Sequence, residues 1–413
     1  MTSSKVLFVT NYFPPEFLGG AETYSFQLGS SLVKCGLDLE VVTTRGAGEA
    51  EETVCLNGLR VHRLVPRVFR RINSGIGNPL GLYFFNSLFN PFSYILKSYV
   101  KRIAPDIVHL QNVTLYDTKV LCDLLDRPSV WTVHDYWPIC IFGSLYNPRK
   151  DMPCIRNCVK CVYPRTLRWL GSFQLKERQK RLNKLGKMID VIISPSEYLK
   201  EKLVEFNYAR RNKIRVIRNG IDVDKFRVSS PSNRKNIVFA GKICRQKGCE
   251  YLVKAMPLIL KKLPKAKLLI GGFDVSGEQM RLTRLAHSLG LHGSVRFLGM
   301  AEDVRRHYRK AAVVVIPSVW PENCPMVVLE AMSSGRPVVC TRCGGIPEIV
   351  DDGVNGFLVE PRNPKQIAER VVEILQNPSL AQRMGTQART KIEGQHNLQD
   401  HIGQIKDVYD TLR

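Results

Sequence analysis

Long hydrophobic runs are missing from this chain of 413 residues. No apolar stretch reaches the roughly 20 residues that a transmembrane helix requires, so we expect no membrane-spanning helix. The first apolar run, residues 5–9, is too short for the core of a secretory signal and indicates a first strand. We therefore expect a cytoplasmic protein. The chain is too long for one compact core and long enough for two.

Acidic residues are also scarce, because 37 Asp and Glu stand against 61 Lys and Arg, a formal net charge of +24. The excess is uneven: residues 151–250 contain 24 basic and 9 acidic residues, whereas residues 301–413 contain 14 of each. Such asymmetry indicates an anionic partner surface, either lipid head groups or nucleic acid.

Residues 60–102 contain no acidic residue at all. Their basic residues are Arg60, Arg63, Arg67, Arg70, Arg71, Lys97, Lys101 and Arg102. Between the basic clusters lie Tyr83, Phe84, Phe85, Leu88, Phe89, Phe92, Tyr94 and Ile95. Aromatic side chains flanked by cations suit an element that dips into a lipid leaflet. The alternative is a helix whose aromatic face packs on the N-terminal sheet.

A second basic segment is a helical pattern predicted from Leu175 to Lys187. The basic residues in and just before it are Arg168, Lys176, Arg178, Lys180, Arg181, Lys184 and Lys187. A solvated helix face is the ordinary explanation of such a charge run. The same residues could also extend a membrane-facing surface.

Two strand-loop-helix units follow one another in the last third of the chain. The buried strand Val313–Ile316 is followed by a loop that contains Glu322 and then by a helix. A second strand, residues 337–340, leads into Gly344 and Gly345. Because ligands of open α/β sheets bind beyond the carboxyl ends of the strands, both loops are expected at a binding site.

Glu322 and Glu330 are separated by seven residues, with one just before the predicted helix and one inside it. Two carboxylates there can accept hydrogen bonds from sugar hydroxyls. The helix N-terminus and the amides of Gly344 and Gly345 can bind phosphate oxygens. From spacing alone, two ordinary solvated glutamates remain an equal explanation.

Residues 321–332 read P-E-N-C-P-M-V-V-L-E-A-M, and residues 344–356 read G-G-I-P-E-I-V-D-D-G-V-N-G. These blocks resemble the retaining glycosyltransferases of family 4. Further blocks of the resemblance, in the family's order, are G-G-A-E at 19–22, H-D-Y-W-P at 134–138, N-G-I-D at 219–222 and F-A-G-K-x4-K-G at 239–248. The resemblance implies the GT-B fold, two Rossmann-like α/β domains facing across a cleft.

The resemblance also implies roles for individual residues. His134, Glu322 and Lys247 are the implied catalytic residues, with His134 against the donor sugar. The implied donor-binding residues are Gly20, Gly241, Lys242, Lys247, Glu322, Asn323, Cys324, Glu330, Gly344 and Gly345. Where Lys242 stands, the family more often has arginine, and lysine keeps the charge but lacks the bidentate fork. No metal cofactor is implied for catalysis.

Four cysteines fall within 22 residues: Cys140, Cys154, Cys158 and Cys161. This density matches a structural zinc site with thiolate ligands. Without a secretory signal, disulfides are less favoured. The spacing is not that of a standard zinc finger, so free or redox-active thiols remain an alternative.

We therefore predict a transferase that moves a sugar from a UDP- or GDP-sugar to a hydroxyl of a lipid-linked or cell-envelope acceptor, with retention. We expect it at the inner face of the membrane, without nucleic acid as partner. The predicted domains are 1–224 with a crossing helix at 394–413, and 225–393. The alternatives are a nucleotide-sugar epimerase, a phosphorylase or another GT-B enzyme, and a non-catalytic basic binder of anionic surfaces or nucleic acid.

Overall fold

The computed structural model describes residues 4–15, 19–44, 52–64, 91–114, 116, 118–147, 152–154, 168–228, 235–275, 277–301 and 303–413. The chain divides into two compact units. The first comprises Met1–Arg149, Cys154–Ile217 and Ile402–Arg413, and the second comprises Arg218–His401 with Lys150–Pro153.

The first unit contains a sheet whose strands alternate with helices. Its strands are β1 (Lys5–Thr10), β2 (Asp38–Thr44), β3 (Glu52–Leu56), β4 (Leu59–Leu64), β5 (Ile107–Leu110), β6 (Ser129–Thr132), β9 (Val191–Ser194) and β10 (Ile214–Val216), with the two-residue strands β7 (Tyr146–Asn147) and β8 (Met152–Pro153) outside it. The helices described here are α1 (Gly20–Lys34), α2 (Pro91–Ile103), α3 (Thr118–Asp123), α4 (Arg168–Met188) and α5 (Glu197–Glu205).

The strand order in this sheet is β10-β9-β6-β5-β1-β2-β4-β3. Only the pairing of β3 with β4 is antiparallel among these described strands. The central strands are buried on both faces, since Val6, Leu7, Phe8 and Val9 have no exposed surface. Continuous apolar runs of this kind are typical of parallel sheets covered by helices. The loops after β1, β5 and β6 therefore meet at one edge.

The second unit repeats the pattern. Its strands are β11 (Asn236–Ala240), β12 (Lys267–Gly271), β13 (Val295–Gly299), β14 (Val313–Ile316), β15 (Val338–Thr341) and β16 (Gly356–Val359). Its helices are α6 (Cys249–Lys262), α7 (Glu278–Ser288), α8 (Arg305–Lys310), α9 (Met326–Ser333), α10 (Ile346–Ile349), α11 (Pro364–Gln376) and α12 (Pro378–Gln395). The last helix, α13 (Leu398–Asp410), extends from this unit into the first.

All described pairings in the second sheet are parallel, in the order β13-β12-β11-β14-β15-β16. When the strands of this sheet are numbered along the chain, the order is the Rossmann order 3-2-1-4-5-6. Successive strands are added toward one side of β11 and then, from β14 on, toward the other side, so the strand order reverses between β11 and β14. Ligands of such sheets bind at that reversal, beyond the carboxyl ends of the strands. The loops after β11, β14 and β15 stand at this position.

The sequence predicts the crossing helix at 394–413; α13 spans Leu398–Asp410, and residues Ile402–Arg413 belong to the first unit. The Tyr409 hydroxyl lies 2.6 Å from His109 Nδ1 on β5, and both side chains are buried. The helix predicted from Leu175 is longer than expected, since α4 begins at Arg168. None of the described helices is long and apolar enough to cross a bilayer.

Candidate active site

An ion pair between a half-buried lysine and a buried carboxylate joins two loops of the second unit at the reversal point. Lys247 Nζ lies 2.6 Å from Glu322 Oε1, and the carboxylate is only 5% exposed. Ser318 Oγ donates a second hydrogen bond of 2.6 Å to the same oxygen. Lys247 also stands 5.1 Å from the centre of the Trp320 ring. The structure thus brings together two of the three predicted catalytic residues.

Glycines allow the loops around this pair to touch through their backbones. Gly248 ends the turn of Lys247 with φ +68°, and a Cβ there would lie 1.9 Å from the carbonyl oxygen of Pro317. Gly344 has φ +60°, and its Cβ would lie 2.0 Å from the carbonyl oxygen of Glu322. The same oxygen accepts a 2.6 Å hydrogen bond from the Gly345 amide. Glycine is required at both positions by conformation and by space.

Glu330 lies on α9 and contacts a side chain that the motifs did not point to. Tyr308 Oη, on α8, donates a 2.7 Å hydrogen bond to Glu330 Oε2. Burial raises the pKa of Glu330 from 4.5 to about 7, although the hydrogen bond from Tyr308 acts in the opposite direction. A carboxyl group whose pKa is raised by burial is typical of functional sites.

The other predicted donor-binding residues surround the pair less directly. Asn323 and Cys324 are buried in the loop before α9, and the Cys324 carbonyl accepts a 3.3 Å hydrogen bond from the Asn219 amide group. Gly241 directly follows β11 and has φ +138°. Lys242 Nζ lies 5.7 Å from the centre of the Phe273 ring. Lys242 thus lies beside an aromatic ring at the carboxyl end of β11.

His134 follows β6 in the first unit and is held from two sides. Its Nε2 lies 2.8 Å from Gln111 Oε1, and its ring meets that of Tyr24 edge to face at 4.9 Å. Because a carbonyl oxygen only accepts, His134 Nε2 carries a hydrogen in this arrangement. Gln111 Nε2 lies 3.1 Å from His109 Nε2, which completes a buried chain of polar side chains. Gln111 was missed in the sequence, although it directly follows β5.

Asp135 is the second residue of the same block. Burial raises the pKa of Asp135 to about 6, and the nearby Glu22 carboxylate adds to this effect. The Trp137 amide donates a 2.8 Å hydrogen bond to Asp135 Oδ1, which favours the charged form. Gly20, the predicted N-terminal contact, is the first residue of α1, the helix that carries Glu22 and Tyr24.

The cysteine cluster is described in part. Cys140 is buried and Cys154 is half-buried, with the Cys154 amide bonded to the Leu145 carbonyl at 2.8 Å. Burial raises the pKa of the Cys140 thiol, and the neighbouring Cys154 adds to the rise. Cys158 and Cys161 lie outside the described residues, as do residues 65–90 of the basic and aromatic segment. Within the described part of the chain, no three His, Cys, Asp or Glu side chains gather as a metal site.

Comparison with protein families identifies the class. Residues 18–225 match Glycosyltransferase Family 4, and residues 221–391 match Glycosyl transferases group 1. The chain belongs to the family 4 glycosyltransferases and is a transferase, as predicted. An uncharacterized glycosyltransferase of Methanocaldococcus jannaschii is 27% identical over 424 residues, covering 98% of this chain and 97% of the relative.

Solved structures show the same fold. Sucrose-phosphate synthase from Thermosynechococcus elongatus superposes with a TM-score of 0.79 at 20% identity, covering 99% of both chains. The Anabaena protein HepE, solved in complex with UDP-glucose, superposes with a TM-score of 0.72 at 19% identity, covering 99% of this chain and 100% of that one. The predicted GT-B fold class is confirmed.

Proposed function

We propose that this glycosyltransferase moves a sugar with retention from a nucleoside diphosphate sugar, a UDP-sugar or a GDP-sugar, to a hydroxyl of a lipid-linked or cell-envelope saccharide. The observation that carries the proposal is the ion pair of Lys247 with the buried Glu322 carboxylate at the reversal point of the second sheet. A likeness to a structure holding UDP-glucose supports a nucleotide-sugar donor.

The contacts of Glu322 suggest how the carboxylate divides its work. The hydrogen bonds from Lys247 and Ser318 both fall on Oε1. Oε2 is therefore our choice for accepting hydrogen bonds from the donor sugar's hydroxyls. Lys247 supplies the positive charge that the diphosphate needs as it departs, and a fixed charge in a site closed to water is most effective there. Lys242 is the second lysine proposed for the diphosphate.

The remaining roles follow the same chemistry. Glu330 accepts hydrogen bonds from the hydroxyls of the donor ribose, and the Gly344 amide faces the phosphates. Gly241 and Gly345 line the phosphate site without their amides, which donate to the carbonyls of Gly271 and Glu322. In the retaining step, the acceptor oxygen bonds to the anomeric carbon on the face that the diphosphate leaves. The acceptor's proton passes to the departing phosphate oxygen, so His134 need not act as a base. His134 and Gly20 remain our prediction for the first unit's contribution to the donor sugar.

The proposal includes no catalytic metal, because Lys247 and the backbone amides can offset the diphosphate charge. A structural zinc on Cys140, Cys154, Cys158 and Cys161 is proposed only to fix the loop after His134. The acceptor class and a peripheral position on a membrane are supported by the net charge of +24 and its concentration in residues 151–250.

Release of nucleoside diphosphate from candidate donors tests the site. Lys247→Ala is expected to lower turnover at least about a hundredfold with the fold retained, as for other groups that stabilise transition-state charge. Glu322→Gln keeps an acceptor for Lys247 but places an amide where Oε2 stood, so sugar binding should weaken while the loop stays in place. The matched control is Lys254→Ala, because Lys254 forms a comparable 2.5 Å pair with Glu250 on the surface of the same unit.

Binding of the donor is measured separately by thermal shift with UDP, GDP and their sugars, since a ligand bound only by the native state raises the melting temperature. Turnover near the wild-type value in Lys247→Ala would refute the assigned role. Sugar isomerisation without release of nucleoside diphosphate would indicate an epimerase. Binding of nucleic acid that falls steeply with salt and survives Glu322→Gln would indicate the basic binder instead.

A further inference from the structure

Helix α4 exposes two aromatic side chains near its N-terminal end. Trp169 is 74% exposed and Phe173 is 70% exposed, whereas large aromatic side chains are usually mostly buried. They stand four residues apart, so they lie side by side on one helix face. Neither side chain takes part in the candidate active site.

Lysines continue the same face toward the C-terminal end of the helix. At 100° per residue, the aromatic pair and the lysines fall within about 80° around the helix axis, over a length of about 27 Å. We call this face the α4 stripe, and its residues are Trp169, Phe173, Lys176, Lys180, Lys184 and Lys187. The opposite face is anchored, since Leu182 and Leu185 have no exposed surface.

Among the residues that the structure describes, no acidic side chain neutralises the charge of the α4 stripe. All four lysines are exposed, and none forms an ion pair with a described acidic residue. The nearest acid along the helix, Glu177, instead accepts a 3.1 Å hydrogen bond from Arg181. Arg178, on the buried side, donates to the Trp137 carbonyl at 2.6 Å. The lysines of the stripe are thus left for an external partner.

We infer that the α4 stripe is the surface through which this protein docks on an anionic lipid bilayer. Two exposed aromatic rings beside a row of lysines suit contact with an anionic leaflet, because the rings can enter the head-group region while the ammonium groups face lipid phosphates. A convex helix face suits a flat bilayer, whereas single-stranded nucleic acid is bound in positively charged grooves. The inference rests on the proposed function, because it names the surface that would bring the transferase to a lipid-linked acceptor.

Co-sedimentation of the full chain with vesicles tests the inference. Vesicles of phosphatidylcholine with phosphatidylglycerol should bind the protein, and vesicles of phosphatidylcholine alone should bind it far less. Lys180→Gln with Lys184→Gln should lower the partition coefficient about thirtyfold, from about fivefold per lysine near an anionic surface. Trp169→Ser with Phe173→Ser should lower it at least about tenfold.

Matched controls come from the second unit. Lys261→Gln with Lys262→Gln removes two exposed lysines from α6, and Met280→Ser with Met300→Ser removes two apolar side chains that are 57% and 76% exposed. Both control proteins should bind vesicles like the wild type. Circular dichroism and melting temperature establish that each variant is folded.

Stripe variants that bind vesicles as tightly as the wild type would overturn the inference. The inference would also be overturned if the wild-type protein bound a single-stranded oligonucleotide more tightly than anionic vesicles and the stripe variants lost this preference. Release of nucleoside diphosphate into water, measured without vesicles, should be unchanged in the stripe variants. If the wild-type protein cleaves no donor yet binds vesicles through the stripe, the proposed function fails and the docking surface stands.

Discussion

Replacing Glu330 with glutamine is expected to stabilise the protein in alkaline solution and to weaken donor binding. Burial raises the pKa of Glu330 from 4.5 to about 7 in the native state. That rise corresponds to roughly 3 kcal/mol of unfavourable free energy for the charged form. The Glu330 carboxyl ionises at lower pH in the unfolded chain than in the native protein. The free energy of unfolding of the wild-type protein therefore falls by this amount as the pH rises from about 4.5 to about 7. Glutamine is neutral throughout and loses none.

The difference in unfolding free energy between Glu330→Gln and the wild type should therefore be near zero at about pH 4.5 and approach roughly 3 kcal/mol at about pH 8. The difference in unfolding free energy can be measured by hydrogen exchange of the backbone amides of α9 in urea, because Glu330 lies on this helix. The control is Glu360→Gln, since the Glu360 side chain is 62% exposed and should show no such trend. Tyr308→Phe removes a hydrogen bond that favours the charged form, so it should move the transition to higher pH.

Glu330→Gln should also raise the KM for the donor at least about tenfold, because a hydrogen bond to a charged group is lost from the ribose site. Stability and affinity then change in opposite directions. An equal stability difference at both pH values would show that the pKa of Glu330 is not raised in the native state and would remove the physical basis of the prediction.

Two further predictions concern the first unit. Gln111→Leu should lower kcat about tenfold with little change in donor KM, since the Nε2–H of His134 loses its acceptor. Gln111→Glu should restore much of kcat and raise the pKa seen in the pH profile of kcat. If Gln111→Glu neither restores kcat nor shifts that pH profile, Gln111 has a purely structural role. Elemental analysis should find about one zinc per chain, lost in Cys154→Ser together with thermal stability; protein purified without chelators that contains no zinc would contradict the metal site.

Strands β11, β14, β15 and β16 of the second unit are buried on both faces, which makes such strands easy to predict from an apolar run. The run Val313–Ile316 has the same bounds in sequence and structure. Strand β3 was missed because it is a half-exposed antiparallel edge strand with no apolar run. The start of α4 was missed because Trp169 and Phe173 lie on its exposed face and break the expected amphipathic pattern.

The site residues could be found where a motif marks the end of a strand. Lys247 and Glu322 follow this rule, and the structure places them in contact. Gln111 obeys the same rule after β5, so attention to strand ends alone would have found it. Tyr308 could not be found, because its contact with Glu330 is a tertiary contact between two helices that no local spacing reports.

The backbone contacts at Gly248 and Gly344 have a consequence for how this enzyme can diversify. Three separate segments of chain meet there through main-chain atoms, at distances that leave no space for a side chain. A shift of any one segment must therefore carry the other two with it, and an insertion in one would displace both acidic and basic groups together. New sugar preferences can arise by exchanging side chains around this frame, whereas changes of loop length within it are expected to abolish the reaction.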